Sequence, residues 1–208
     1  MSNKTKVDKL LSGETKLFPK GNSKLSKDVL TWSITAGMKI CGRECEGCYA
    51  LKEQKRFPSI VEAREARYEA SKNSKAFKQV AIAELQKYGK KYVRVHASGE
   101  FYSQEYIDTW EVIAKELPHL TFFTYTKRMK DFKFDKLKAL PNFVVHNSLI
   151  ELDGTVVKNY GNVDKIASKL PESFVCPLAT DRTGMCGESC TWCMEKENEG
   201  TPILFPKH

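Results

Sequence analysis

Cys41, Cys45 and Cys48 lie in one short loop, spaced Cys-x3-Cys-x2-Cys. Structural zinc sites usually take four protein ligands, so three thiolates underfill one unless a His or a remote Cys completes it. Three thiolates can instead hold three irons of a [4Fe–4S] cluster and leave the fourth iron open to another ligand. The other four cysteines, Cys176, Cys186, Cys190 and Cys193, are spaced x9, x3 and x2. Four thiolates close a site by themselves, around either a second [4Fe–4S] cluster or a structural Zn. Cys176-Pro177 matches the Cys-Pro often found at iron–sulfur ligands. The total of seven cysteines is odd, which argues against a complete disulfide framework.

The bulk properties set the frame for this chemistry. A chain of 208 residues with 41% hydrophobic and 29% charged content fits one soluble globular domain, with two small ones as the alternative. No apolar run approaches the ~20 residues that span a bilayer. The polar N-terminus, MSNKTKVDKLLSGETK, lacks the apolar stretch of a secretory signal. The expected location is therefore the cytoplasm, where clustered cysteines usually mean metal or redox chemistry. A net charge of +8 permits an anionic partner such as nucleic acid, although the lysines are spread along the chain as on an ordinary solvated surface.

Residues 1–27 read as an irregular basic arm with one short helix around Val7–Leu11. Val29–Thr35 alternates as a first strand directly before the cysteine loop. Helical periodicity follows over Glu62–Ala70 and Phe77–Tyr88, with Gly89 as the stop. Tyr92–Ala97, Leu120–Thr126 and Phe143–Ile150 read as strands. Ser103 is placed to cap a helix carrying Tyr106, Ile107, Trp110, Ile113, Ala114 and Leu117, and Asp131–Leu140 reads as a short helix. Asp153-Gly154 reads as a tight turn, Val163–Leu170 as a helix and Phe174-Val175 as a last short strand. This alternation predicts βαβ units on a parallel sheet. About five to six units fall short of the eight of a closed barrel, so the expectation is an α/β fold with a partial, open parallel (β/α) barrel.

Ligands in parallel α/β folds sit at strand C-termini. Three stretches end strands here. Ser98-Gly99-Glu100 is a candidate binding turn or an ordinary strand-to-helix turn. Thr124–Arg128 offers Lys127 and Arg128, to an anion or to solvent. His146-Asn147-Ser148 offers polar contacts, or in His146 a satisfied core residue. Parity puts Arg94, His96 and Ser98 on one strand face, and Val144, His146 and Ser148 on one face of another. Such faces line a polar lumen or belong to edge strands with one wet side.

Cys41-x3-Cys45-x2-Cys48 after a first strand resembles the cluster loop of the radical S-adenosylmethionine (SAM) enzymes, and Ser98-Gly99-Glu100 resembles their Gly-Gly-Glu-like motif. With TWSITAG, VRVHASGEFYS, FFTYTKR and the terminal cysteine set, the chain beyond residue 25 resembles the small phage-encoded, radical-SAM-like gene product 88 family. The resemblance implies that Cys41, Cys45 and Cys48 ligate a [4Fe–4S] cluster whose open iron binds SAM, and that reductive cleavage gives a 5′-deoxyadenosyl radical. It implies that Ser98, Gly99 and Glu100 hold the SAM amino group, that Lys127 pairs with the SAM carboxylate or an anionic substrate, and that Ser148 lies among the ribose contacts. The family usually has a large apolar residue just before the third cysteine. Gly47 stands there, so the adenine contact falls to Tyr49 or is lost.

The expected organisation is an arm over 1–27, a radical-SAM-like partial barrel over 28–175 and a four-cysteine extension over 176–208. The expected partners are SAM, an electron donor such as flavodoxin or ferredoxin, and a nucleotide, nucleic-acid or protein substrate, with no membrane. The alternative is a non-enzymatic Fe–S or Zn binding module that contacts nucleic acid or a host protein.

Overall fold

A computed structural model describes residues 3–19, 24–43, 45, 48–89, 91–152, 155–157, 160–161, 163–180 and 184–206. Gly47 and the turn expected at Asp153-Gly154 lie outside these residues. The first helix is α1 (Asn3–Leu11). Four strands then form one parallel sheet in sequential order: β1 (Val29–Ser33), β2 (Tyr92–Ser98), β3 (Thr121–Thr126) and β4 (Phe143–Asn147). The helices α2 (Met38–Cys41), α3 (Tyr49–Arg56), α4 (Pro58–Ser71) and α5 (Ser74–Gln86) separate β1 from β2. The helix α6 (Gln104–Glu116) joins β2 to β3, and α7 (Asp135–Lys138) joins β3 to β4. The expected cap forms, with the Tyr106 amide donating to Ser103 Oγ at 3.2 Å.

Beyond β4 the chain builds smaller pieces. The strands β5 (Ile150–Leu152) and β6 (Thr155–Val157) pair antiparallel. The strand β7 (Tyr160–Gly161), the helix α8 (Val163–Ala167), the strand β8 (Phe174–Val175) and the helix α9 (Pro177–Thr180) follow, and β9 (Ile203–Pro206) comes last. Phe174–Val175 pairs with β9 and not with the main sheet, so that sheet has four strands among the described residues. No helix among the described residues is long and apolar enough to cross a membrane.

Alternation along the strands gives the sheet two different faces. Leu30, Trp32, Val93, Val95, Phe122, Phe143 and Val145 face the helices in the main core. Trp32 is fully buried there, with Phe77 at 4.8 Å, Phe18 at 5.7 Å and Trp110 at 6.0 Å between ring centroids. Burial of this aromatic set is the main stabilising contribution of that face. The N-terminal segment takes part in it: Leu10, Leu17 and Phe18 are buried, where the sequence read as an irregular arm. The Glu84 carboxylate accepts the Leu17 and Phe18 amides at 2.7 and 3.0 Å, and Arg67 Nε donates to the Leu17 carbonyl at 3.0 Å, which pins this stretch of backbone.

The second face carries Val29, Phe123 and Val144, packed with Leu25 and Met194. The C-terminal segment therefore covers the face that parity assigned to polar residues. It also reaches the free edge of β4. There the Val145 amide donates to Glu199 Oε1 at 2.7 Å, and Lys196 Nζ donates to the Phe143 carbonyl at 2.7 Å. These side chains occupy groups that would otherwise be open to another strand.

One parity expectation fails. The β1–β2 register runs Trp32 to Val95 and then jumps to Ser33 opposite Ser98, so β2 carries extra residues at His96 and Ala97. His96 takes φ +62°, uncommon for a residue with a side chain. The bulge turns its imidazole into the helix layer, 4.5 Å from the Phe101 ring centroid. Trp32 Nε1 donates to Tyr106 Oη at 2.6 Å, and Tyr106 Oη lies 3.0 Å from His96 Nε2. The Tyr106 phenol can give its own proton to a neutral His96, and burial favours that neutral imidazole.

Burial lowers the His96 pKa from 6.5 to about 3. The unfolded chain then binds a proton near pH 6.5 that the folded chain refuses, so stability present above pH 6.5 is lost as pH falls towards 3. The full penalty is about 5 kcal/mol. His96→Asn, which tolerates the backbone and does not titrate, is expected to be less stable than the parent at pH 7. The gap should narrow as pH drops from 6.5 in urea denaturation, and a constant gap would contradict this account.

Candidate metal centre

The cysteine loop is held between the ends of the strands. Cys41 ends α2, and Gly42 leaves it at φ +67° in the left-handed conformation of a helix stop. A Cβ at Gly42 would overlap the guanidinium of Arg128, so that side chain lies directly against the loop. Arg128 Nε pairs with Asp131 at 2.7 Å, and Arg43 reaches the same carboxylate at 3.6 Å. Cys48 immediately precedes α3 and receives the positive end of that helix. Gln54 on α3 accepts the Ala36 amide at 2.8 Å and donates to the Ala36 carbonyl at 3.3 Å, tying the helix to the strand exit. Tyr49 is 61% exposed, and its hydroxyl donates to the Ala97 carbonyl in the bulge of β2.

Ser98-Gly99-Glu100 stands beside this loop. Gly99 has φ +84°, and a Cβ there would run into Ile34 Cγ1 and stand 2.9 Å from the Ile34 carbonyl oxygen. Only glycine allows β1 and the turn after β2 to approach this closely. Glu100 is buried. Its Oε1 accepts from Thr126 Oγ1 at 2.8 Å and from the Phe101 amide at 3.0 Å, and its Oε2 accepts the Lys127 amide at 2.8 Å. Burial raises the Glu100 pKa against the opposing effect of these donors. Ser98 Oγ is buried without a hydrogen-bond partner among the described residues. The Ser148 amide donates to the Thr126 carbonyl at 2.8 Å, at the same sheet end and one strand further out.

Lys127 connects the turn to the thiols. Its backbone meets Glu100, and its Nζ donates to Cys45 Sγ at 3.1 Å. Burial works against the ammonium, but the Cys45 contact and the charges of Cys45, Cys48 and Glu100 outweigh it and raise the Lys127 pKa. Burial pushes the Cys41 thiol up; the Gly37 amide opposes this, while Glu100, Cys45 and Cys48 add to it. The structure thus brings Cys41, Cys45, Cys48, Tyr49, Glu100 and Lys127 to one end of the sheet. Thr126 is the participant that the sequence did not single out, and it lies inside the FFTYTKR stretch.

The other four cysteines lie in the C-terminal part of the chain. Cys186 bridges to Leu25 ahead of β1 and to Cys190. The Cys176 amide donates to the Leu204 carbonyl at 2.9 Å. Burial, with the charges of Cys186, Cys176 and Cys190, pushes the Cys193 thiol up to about 12, although the Tyr125 hydroxyl hydrogen-bonds it. His146 Nε2 lies 2.9 Å from the Cys193 carbonyl, and its ring lies 5.4 Å from Tyr125 and 6.4 Å from Trp192. It anchors the cysteine segment through Nε2, while its Nδ1 is buried without a hydrogen-bond partner among the described residues.

None of the seven cysteines is in a disulfide. Among the described residues, no three His, Cys, Asp or Glu side chains already converge as a metal-binding group. The donor chemistry nevertheless fits a thiophilic metal at both places. Each set gathers thiols whose thiolates repel one another, which a bound cation would offset. Gly99→Ala is expected to cost roughly 2 kcal/mol or more, from its positive φ and the collision with Ile34. Thermal melting checks this, and an unchanged melting temperature would contradict the close approach.

A family model described as Gene product 88 matches residues 8–198. No curated protein matches the chain, and no solved structure matches it.

Proposed function

The chain belongs to the gene product 88 family, and we propose that this member is a minimal radical SAM iron–sulfur enzyme. In this reading Cys41, Cys45 and Cys48 hold a [4Fe–4S] cluster with one open iron for SAM. Cys176, Cys186, Cys190 and Cys193 hold a second [4Fe–4S] cluster or a Zn ion. The first cluster, when bound, supplies the electron that cleaves SAM to methionine and a 5′-deoxyadenosyl radical, drawn from a donor such as flavodoxin or ferredoxin.

The observation that carries the reading is the meeting of three strand exits. The cysteine loop follows β1, Glu100 follows β2 and Lys127 follows β3, joined by the 3.1 Å Lys127–Cys45 contact and the 2.8 Å Lys127–Glu100 bond. With Cys45 committed to a metal, the Lys127 ammonium is available to a carboxylate or another anion. Tyr49 offers an exposed ring next to Cys48 on which a base can stack. Glu100 has room for one more donor beyond its three. The +8 charge suits a nucleotide or nucleic-acid substrate, with a protein as the other class.

One observation favours the second reading, a non-enzymatic Fe–S or Zn module that contacts nucleic acid or a host protein. Glu100 is already well satisfied by Thr126, Phe101 and Lys127, as a purely structural carboxylate would be. Anaerobic reconstitution with iron and sulfide, followed by dithionite and SAM, separates the two. The enzyme reading expects 5′-deoxyadenosine and methionine from the parent protein and none from Cys45→Ala. A protein that carries iron and sulfide on the first three cysteines but forms neither product would leave the module reading standing.

A further inference from the structure

Arg94 lies in the middle of β2, on the sheet face covered by the C-terminal segment. Its guanidinium stacks over the Tyr125 ring at 5.4 Å. Its Nε is buried and has no hydrogen-bond partner among the described residues. A buried donor without an acceptor is costly, so the position calls for an acceptor, and the guanidinium charge favours an anion. The apolar neighbours on this face, Leu25, Val29, Phe123, Val144 and Met194, supply none. The nearby source of negative charge is the four-cysteine segment, since Cys186 packs against this same cluster. Tyr125, under the guanidinium, packs against the cluster too, and Met194, the chain neighbour of Cys193, is buried in it.

Four thiolates around Zn²⁺ carry a net charge of −2, and so do four thiolates around an oxidised [4Fe–4S] core. Either dianion, set against the half-buried face of a sheet, needs a counter-charge from the protein. We propose that Arg94 is the positioning residue of the four-cysteine site: its guanidinium offsets the tetrathiolate charge from beneath. The inference rests on the reading of those cysteines as a metal site. It adds that the site is built into the sheet itself, through β2 and β3, and is not merely a knot in the chain end.

The opposing effects on the free and metal-bound protein give the test. Arg94→Leu removes an orphaned buried donor and adds an aliphatic group to an aliphatic face. The metal-free protein should be no less stable, while metal affinity falls. The full-length chain with Cys41, Cys45 and Cys48 changed to Ala confines binding to one site. Zn²⁺ is titrated against a competing chelator, and iron with sulfide is loaded anaerobically in parallel to show which of the two the site takes.

The proposal expects Arg94→Leu to weaken Zn²⁺ binding or cluster retention by about 10- to 100-fold, with the metal-free melting temperature unchanged or raised. Affinity within twofold of the parent overturns it, as does a fall in the metal-free melting temperature that accounts for the loss. If Arg94→Leu does not fold, Arg94→Lys should bind several-fold more tightly than Arg94→Gln, and equal affinities overturn the proposal. A parent that binds no more metal than its Cys193→Ser variant removes the metal reading itself, and the role of Arg94 with it.

Discussion

The buried carboxylate of Glu100 is the constraint on which this arrangement depends. A carboxylate out of water is costly unless donors meet it. Glu100 obtains them from Phe101 next to it and from Thr126 and Lys127 at the end of the neighbouring strand. Those donors are in place only when β2 and β3 are in register and Gly99 lets the turn close against Ile34. The same bond fixes the Lys127 backbone, and from there its ammonium reaches Cys45. A polar cost at one strand end is thus coupled to the electrostatics of a loop more than fifty residues away in sequence.

The sheet divides its labour between two faces. The helix face gathers Trp32, Phe77, Trp110 and Phe122 and supplies the apolar burial. The opposite face is less apolar and is closed by residues that follow Gly184. These reach from the Leu25–Cys186 bridge ahead of β1 to the Glu199 contact on β4. A metal held by the four cysteines would fasten this cover, which links the second site to the fold more directly than to the first loop.

Much of this was legible in the sequence because the signals were local. The strand alternation, the Ser103 cap and the division of cysteines into three and four follow from neighbouring residue types. The side of the sheet taken by His96 was not legible, because an inserted bulge is invisible to a period of two. The burial of Leu17 and Phe18 depends on Glu84, almost seventy residues later, and no short window contains both. Parity along the strands does mark the polar face of Arg94 and His146. It could not show that this face is covered, since the covering segment contributes cysteines and short turns with no periodicity of their own. The pairing of Phe174–Val175 with β9 was likewise hidden, because two residues carry no signal of which sheet they join.

The central claim is an open iron held by Cys41, Cys45 and Cys48. The most direct measurement is the electron paramagnetic resonance spectrum of the reduced, reconstituted protein with Cys176, Cys186, Cys190 and Cys193 changed to Ser, recorded with and without SAM. The account predicts a [4Fe–4S]⁺ signal that changes shape when SAM is added, because SAM ligates the cluster. A cluster signal that SAM leaves unchanged, or no cluster at all on these three cysteines, would contradict it.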